Sequence, residues 1–84
     1  LKLALEAGQT GGTMPAVLNA ANEVAVDSFL QGLLPFKAIP QVVAEVMEKH
    51  IVRTSPGLGE IMEADHWARE KGVVTVHRLG QILT

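Results

Sequence analysis

The chain has 84 residues, of which 7 are Lys or Arg and 9 are Asp or Glu, so its formal charge is −2. Length and the 48% hydrophobic content fit one small domain that buries about 60–65% of its unfolded surface. The charge excludes the basic footprint of a nucleic-acid-binding protein, and the lack of cysteine excludes disulfides and thiolate chemistry. No segment is typical of a signal peptide or a membrane span, so we expect no association with a membrane. From the charge we expect no nucleic-acid partner.

The first segment opens inside an apolar pattern and without an initiating Met, as expected of a piece of a longer protein. Its residues are strong helix formers and include no β-branched residue. They predict a short helix over residues 1–7, ended by Gly8 and by the turn at Gly11 and Gly12.

The second predicted helix begins near Pro15, because proline is well tolerated in a first helical turn. An apolar stripe follows at helical spacing, and Gly32 and Pro35 stop it. The stripe consists of Leu18, Ala21, Ala25 and Phe29.

The third predicted helix has the clearest periodicity in the chain, with Pro40 in its first turn. Its apolar residues are Ile39, Val42, Val43, Val46, Met47 and Ile51. His50 then lies at the carboxyl end, where an imidazolium interacts favourably with the helix dipole.

The fourth predicted helix starts at Asp65 as N-cap, after a turn-rich loop over residues 54–59 and one helical turn over residues 60–63. Its stripe runs through Ala68, Gly72, Val76, Leu79 and Leu83. Gly72 and the β-branched residues 73–76 weaken this helix. The sequence therefore predicts an all-α fold, a small bundle of about four helices with sequence neighbours antiparallel.

Catalytic and ligand-binding motifs are not found. Neither serine sits in a glycine-flanked elbow, and no predicted strand precedes the glycines that might form a phosphate loop. The histidines are widely spaced, which favours solvated or capping roles over zinc binding. A metal site made by His66 with Glu63 or Glu70 is the weaker alternative.

Three polar or aromatic side chains lack an obvious place in the pattern. Asn22 falls within the apolar arc of the second helix and Asn19 at its border, so we expect buried amides with specific partners. We interpret them as a clamp between helices or between helix and loop; the alternative is a ligand contact. Trp67 falls off its stripe, and either contacts another domain or subunit or lies under the loop over residues 54–59.

The block Leu18–Asn19–Ala20–Ala21–Asn22–Glu23, within residues 15–30, resembles the C-terminal part of 1-deoxy-D-xylulose 5-phosphate reductoisomerases. Leu34–Pro35–Phe36, Ile39 and Trp67–Ala68–Arg69 extend the resemblance over nearly the whole chain. Gly72 and the valines after it depart from the Ala- and Arg-rich helix common in the family, which leaves the length of the last helix open.

The resemblance implies a single C-terminal helical domain over residues 1–84 of a longer enzyme. It implies a homodimeric parent that uses NADPH and a divalent cation (Mg²⁺, Mn²⁺ or Co²⁺) to make 2-C-methyl-D-erythritol 4-phosphate on the non-mevalonate route to isoprenoids. The parent would lie in the bacterial cytoplasm or the plastid stroma.

The family's catalytic, cofactor-binding and metal-binding residues lie upstream, so none is assigned to this chain. We therefore expect a structural domain, inactive alone, that braces the upstream catalytic domain of the same polypeptide. The alternative is an autonomous helical protein-interaction module without enzymatic activity.

Overall fold

The computed structural model describes the main chain of residues 2–83 and the side chains of residues 2–81. Within that range the chain forms α1 (Lys2–Thr10), α2 (Met14–Leu30), a 3₁₀ turn (Phe36–Ala38), α3 (Ile39–Lys49) and α4 (Leu58–Leu83). The predicted all-α bundle of about four helices is confirmed. None of the described helices is long and apolar enough to cross a membrane.

Helix α2 lies at the centre and packs against the other three helices. It begins with Pro15 in its first turn, and Gly32, with φ of 79°, ends the path of the helix. Apart from Met14, its buried residues are small and let neighbouring helices approach closely; they are Val17, Ala20, Ala21, Ala25 and Ser28.

The order of contacts along the helices gives their directions. Thr13 bonds to His50, while Leu18 shares a groove with Ile39 and Val43, so α3 is antiparallel to α2. Helix α4 runs parallel to α2, because Glu23 bonds to Arg69, Val24 packs on Gly72, and Gly80 lies on the carbonyl of Leu33.

The predicted carboxyl ends of the first and third helices are wrong. Helix α1 continues past Gly8 to Thr10. Because Gly8 is exposed, its place in the helix costs only the difference in helix propensity from alanine, about 1 kcal/mol. Helix α3 ends at Lys49, so Ile51 lies in the following loop and is 87% exposed.

Asp65 is not an N-cap, since α4 already begins at Leu58. The Glu60 side chain accepts a hydrogen bond from the backbone N–H of Gly57 at 3.1 Å, which is half of a capping box. Asp65 lies inside the helix and pairs with Arg69.

The β-branched segment after Gly72 is helical, so the last helix continues past Gly72 to Leu83, where the described main chain ends. Thr75 and Val76 are buried, and the Thr75 hydroxyl donates to the carbonyl oxygen of Lys71 at 2.8 Å. Packing against the bundle thus outweighs the small propensity cost of these residues. Leu83 has no described side chain, so its place in the predicted stripe lies outside the described residues.

Candidate functional site

The amino terminus of α2 is joined to the loop after α3 by reciprocal hydrogen bonds. The backbone N–H of Thr13 donates to the carbonyl of Arg53 at 3.1 Å, and the N–H of Arg53 donates to the Thr13 hydroxyl oxygen at 3.0 Å. The same hydroxyl lies 2.7 Å from Nε2 of His50. Thr13 is only 1% exposed, so this Thr13–Arg53 junction is a buried polar contact.

His50 is the titratable group at the junction. Partial burial lowers the pKa of His50, because desolvation disfavours the imidazolium. A neutral ring can accept the Thr13 hydroxyl proton at Nε2, which leaves the hydroxyl oxygen to accept the N–H of Arg53. The neutral form of His50 therefore lets the Thr13 hydroxyl donate to the ring and accept from Arg53 at the same time.

Trp67 lies beside this junction. Its ring is tilted at 41° to the ring of His50, with centroids 5.1 Å apart, and it is half-buried against the core. The rest of its surface opens into a cleft of about 340 Å³ that also touches Ile51, Glu60 and Glu63. We call this the Trp67 cleft.

Two charged residues of the Trp67 cleft, Arg53 and Glu60, pair with each other. The backbone N–H of Gly57 and, less strongly, the Arg53 guanidinium lower the pKa of Glu60. Arg53 Nη1 lies 3.0 Å from Glu60 Oε2, and this exposed ion pair joins the loop after α3 to the first turn of α4.

The expected burial of the two amides is wrong, since both Asn19 and Asn22 are exposed. Helix α1 covers less of this side of α2 than the apolar arc suggested. Asn19 donates from Nδ2 to Glu23 Oε2 at 3.0 Å, within its own helix. The Asn22 side chain has no hydrogen-bond partner among residues 2–81.

A second polar network, which the sequence interpretation missed, ties α2 to α4. Arg69 donates to Asp65 at 2.7 Å and to the same Glu23 oxygen at 3.2 Å that Asn19 contacts. Asp65 and, next, Glu23 raise the pKa of Arg69. The i,i+4 spacing of Asp65 and Arg69 was a readable signal, but the link to Glu23 depends on the crossing of two helices.

His66 pairs with Glu70, whose carboxylate lies 3.2 Å from Nε2, and both side chains are largely exposed. Glu63 borders the Trp67 cleft. No three His, Asp or Glu side chains come together as a metal-binding group within residues 2–81. His66 and Glu70 thus form an exposed contact one turn apart on the same helix.

Comparison with known proteins gives a family match. Residues 1–71 match the family model described as the DXP reductoisomerase C-terminal domain. The chain is 66% identical over 79 residues to the 1-deoxy-D-xylulose 5-phosphate reductoisomerase of Pelotomaculum thermopropionicum, covering 94% of this chain and 20% of that protein. It is 55% identical over 71 residues to the Halothermothrix orenii reductoisomerase, covering 84% of this chain and 18% of that protein.

A solved structure gives the same result for the fold. The Zymomonas mobilis 1-deoxy-D-xylulose 5-phosphate reductoisomerase, in complex with NADPH, superposes with a TM-score of 0.85 at 34% identity. The match covers 90% of this chain and 20% of that one. The chain thus spans about a fifth of the length of the relatives it matches.

Proposed function

The chain belongs to the family of DXP reductoisomerase C-terminal domains, and from that membership we propose that it braces the catalytic domain of such an enzyme. The observation that carries the proposal is the 66% identity with a reductoisomerase over almost the whole chain. The parent would reduce and rearrange 1-deoxy-D-xylulose 5-phosphate to 2-C-methyl-D-erythritol 4-phosphate.

The parent's cofactors are assigned to the upstream part of the polypeptide. NADPH, present in the complex of the Zymomonas mobilis relative, and a divalent cation (Mg²⁺, Mn²⁺ or Co²⁺) would bind there. We propose a homodimeric parent located in the bacterial cytoplasm or the plastid stroma, with no catalytic, cofactor or metal residue in residues 1–84.

The use of the polar side chains supports a bracing role. Thr13 with His50, Glu23 with Arg69, and Glu45 with Arg78 all join different helices or a helix and a loop. These contacts restrain the helices relative to one another, as a rigid support requires. The charged side chains in these contacts bind one another and are not left to act as acids, bases or ligands.

The Trp67 cleft is the proposed contact with the catalytic domain. Trp67 offers a half-buried indole, and Ile51 beside it is 87% exposed. An aromatic residue with an exposed aliphatic neighbour is typical of a protein interface. The Thr13–Arg53 junction positions His50, and the ring of His50 in turn contacts Trp67.

The test uses the full-length reductoisomerase and its Ile51→Asp variant. Because Ile51 is exposed, the substitution should leave the fold of residues 1–84 unchanged while it weakens docking. We expect the catalytic and C-terminal domains to unfold in one calorimetric transition in the wild type and in two in the variant. Val74→Asp on the outer side of α4, where Val74 is 62% exposed, is the control.

Activity is tested separately by NADPH oxidation with 1-deoxy-D-xylulose 5-phosphate. The full-length protein should turn over, and residues 1–84 alone should not. Two independent transitions in the wild type would contradict bracing and favour an autonomous interaction module. Turnover by residues 1–84 would overturn the assignment of the chemistry to the upstream domains.

A further inference from the structure

Helices α1, α2 and α3 enclose a groove of about 350 Å³, and no described residue of α4 lines it. Its apolar surface comes from residues that are partly or fully buried against the core, namely Leu3, Leu18, Ile39 and Val43. The exposed residues Ala4, Asn19, Asn22 and Pro40 border it. We call this the amide groove.

The amides on the border of the groove have unused hydrogen-bonding capacity. Asn22 has no partner among residues 2–81, and the amide of Asn19 uses only Nδ2, toward Glu23. A primary amide offers two donors and an acceptor, the set that pairs with a peptide main chain. Apolar surface beside such groups is the usual composition of a site that binds an extended peptide.

Helix α1 itself is weakly held by the other helices. It has nine residues, of which Ala7 is the only buried one, and helices of this length are marginal without further packing. Leu3 and Ala4, in its first turn, have apolar surface facing the groove. A segment lying in the groove would cover that surface and fix α1.

We propose that the amide groove binds the segment of the parent polypeptide that immediately precedes Leu1, an inference that rests on the proposed function. Relatives are about five times as long and match through a domain described as C-terminal, so their chain enters this domain through α1. The first described turn of α1 borders the groove. A tethered segment has an effective concentration in the millimolar range, so modest contacts suffice to hold it.

In the bound arrangement an apolar side chain of the preceding segment lies on Leu18 and Ile39. The amide of Asn22 bonds to the main chain of the same segment. This fixes the angle at which the polypeptide enters the domain and couples α1 to the part of the enzyme before it.

Photocrosslinking in the full-length reductoisomerase tests the occupant. A benzophenone amino acid replaces Pro40, which is exposed at the groove border, and in a control protein replaces Val74 on α4. We expect adducts from position 40 to map to the segment before Leu1 in the same chain. Adducts to a second copy, to a distant part of the chain, or at no more than the yield from position 74 would overturn the proposal.

A matched pair of variants tests the role of the amide. Asn22→Ala should raise the rate of protease cleavage within the preceding segment about fivefold, the effect of one net hydrogen bond. Gln41→Ala removes an exposed amide outside the groove and should leave the rate unchanged. Equal rates in the two variants would contradict a bond from Asn22.

These outcomes are distinguishable from a failure of the bracing proposal. One calorimetric transition in the full-length protein, without crosslinks from position 40 to the preceding segment, would overturn the amide groove alone. Two independent transitions in the wild type, with the crosslinks present, would overturn bracing and leave the groove assignment standing.

Discussion

Gly12 lies so close to the carbonyl oxygen of Arg53 that a β-carbon added at Gly12 would overlap that oxygen. Gly12 also has φ of 56°, in the left-handed region that side chains disfavour. Both constraints come from the Thr13–Arg53 junction, which holds the loop after α3 against the start of α2. The absence of a side chain at residue 12 is therefore a condition of this fold.

Gly12→Ala should destabilise the chain by about 3 kcal/mol, because it adds backbone strain and forces the junction apart. Urea denaturation followed by circular dichroism measures the loss. Gly8→Ala is the control, since Gly8 is helical with open space around it, and it should stabilise by about 0.5–1 kcal/mol. Similar effects of the two substitutions would contradict the close approach of Gly12 to Arg53.

Thr13→Val should cost about 1–3 kcal/mol, because the shape is kept while the N–H of Arg53 and the ring of His50 lose their common partner. Thr54→Val, in the same loop but exposed, should change the free energy of unfolding by less than about 0.5 kcal/mol. Equilibrium denaturation compares the two. A neutral Thr13→Val would show that the hydroxyl does not hold the junction.

Stability should fall as the pH drops below the ordinary pKa of histidine, about 6.5. Burial lowers the pKa of His50 in the folded state, so the unfolded chain binds the proton first. The stabilising contribution is therefore complete above pH 6.5 and is lost as the pH falls toward the folded pKa.

His50→Gln should flatten this part of the stability–pH profile, measured by urea denaturation between pH 5 and pH 8. His77→Gln removes an exposed histidine and should leave the profile as in the wild type. A profile unchanged by His50→Gln would assign the pH dependence to other groups.

Gly72→Ala should destabilise despite the better helix propensity of alanine. A β-carbon at residue 72 would lie 3.2 Å from Cγ1 and 3.3 Å from Cβ of Val24, and the Cβ cannot move without a shift of α2. We expect a net loss of about 1–2 kcal/mol.

A double-mutant cycle with Val24→Ala checks the origin of that loss. Removing the γ-carbons of Val24 relieves part of the clash, so the double variant should be more stable than the sum of the single changes by about 1 kcal/mol. Strict additivity of the two changes in stability would show that an alanine at residue 72 does not clash with Val24.

The fold class and the two central helices could be predicted from the sequence, because the apolar stripes of residues 18–29 and 39–47 follow the helical period over several turns. The start of α4 was misplaced because Asp65 is a typical capping residue. The observed start depends on the hydrogen bond from the Gly57 N–H to the Glu60 carboxylate. The sequence contains this capping-box spacing, but the turn-forming residues around Gly57 favoured a loop there.

The candidate site was harder to predict. Trp67 was marked as unusual, yet its contact with His50 depends on the path of the loop between α3 and α4. Asn22 was expected to be buried because its angular position on α2 falls within the apolar arc. How much of that arc is covered depends on where short α1 lies, which periodicity does not determine.

Helix α4 lies along α2 although α3 separates the two in sequence. Since a polypeptide emerges from the ribosome amino end first, α1, α2 and α3 can assemble while α4 is still being made. Helix α4 then closes onto the other three helices, whose surface around Val24 has until that point been open to water. A nascent chain stalled before residue 72 would display that surface to chaperones and proteases.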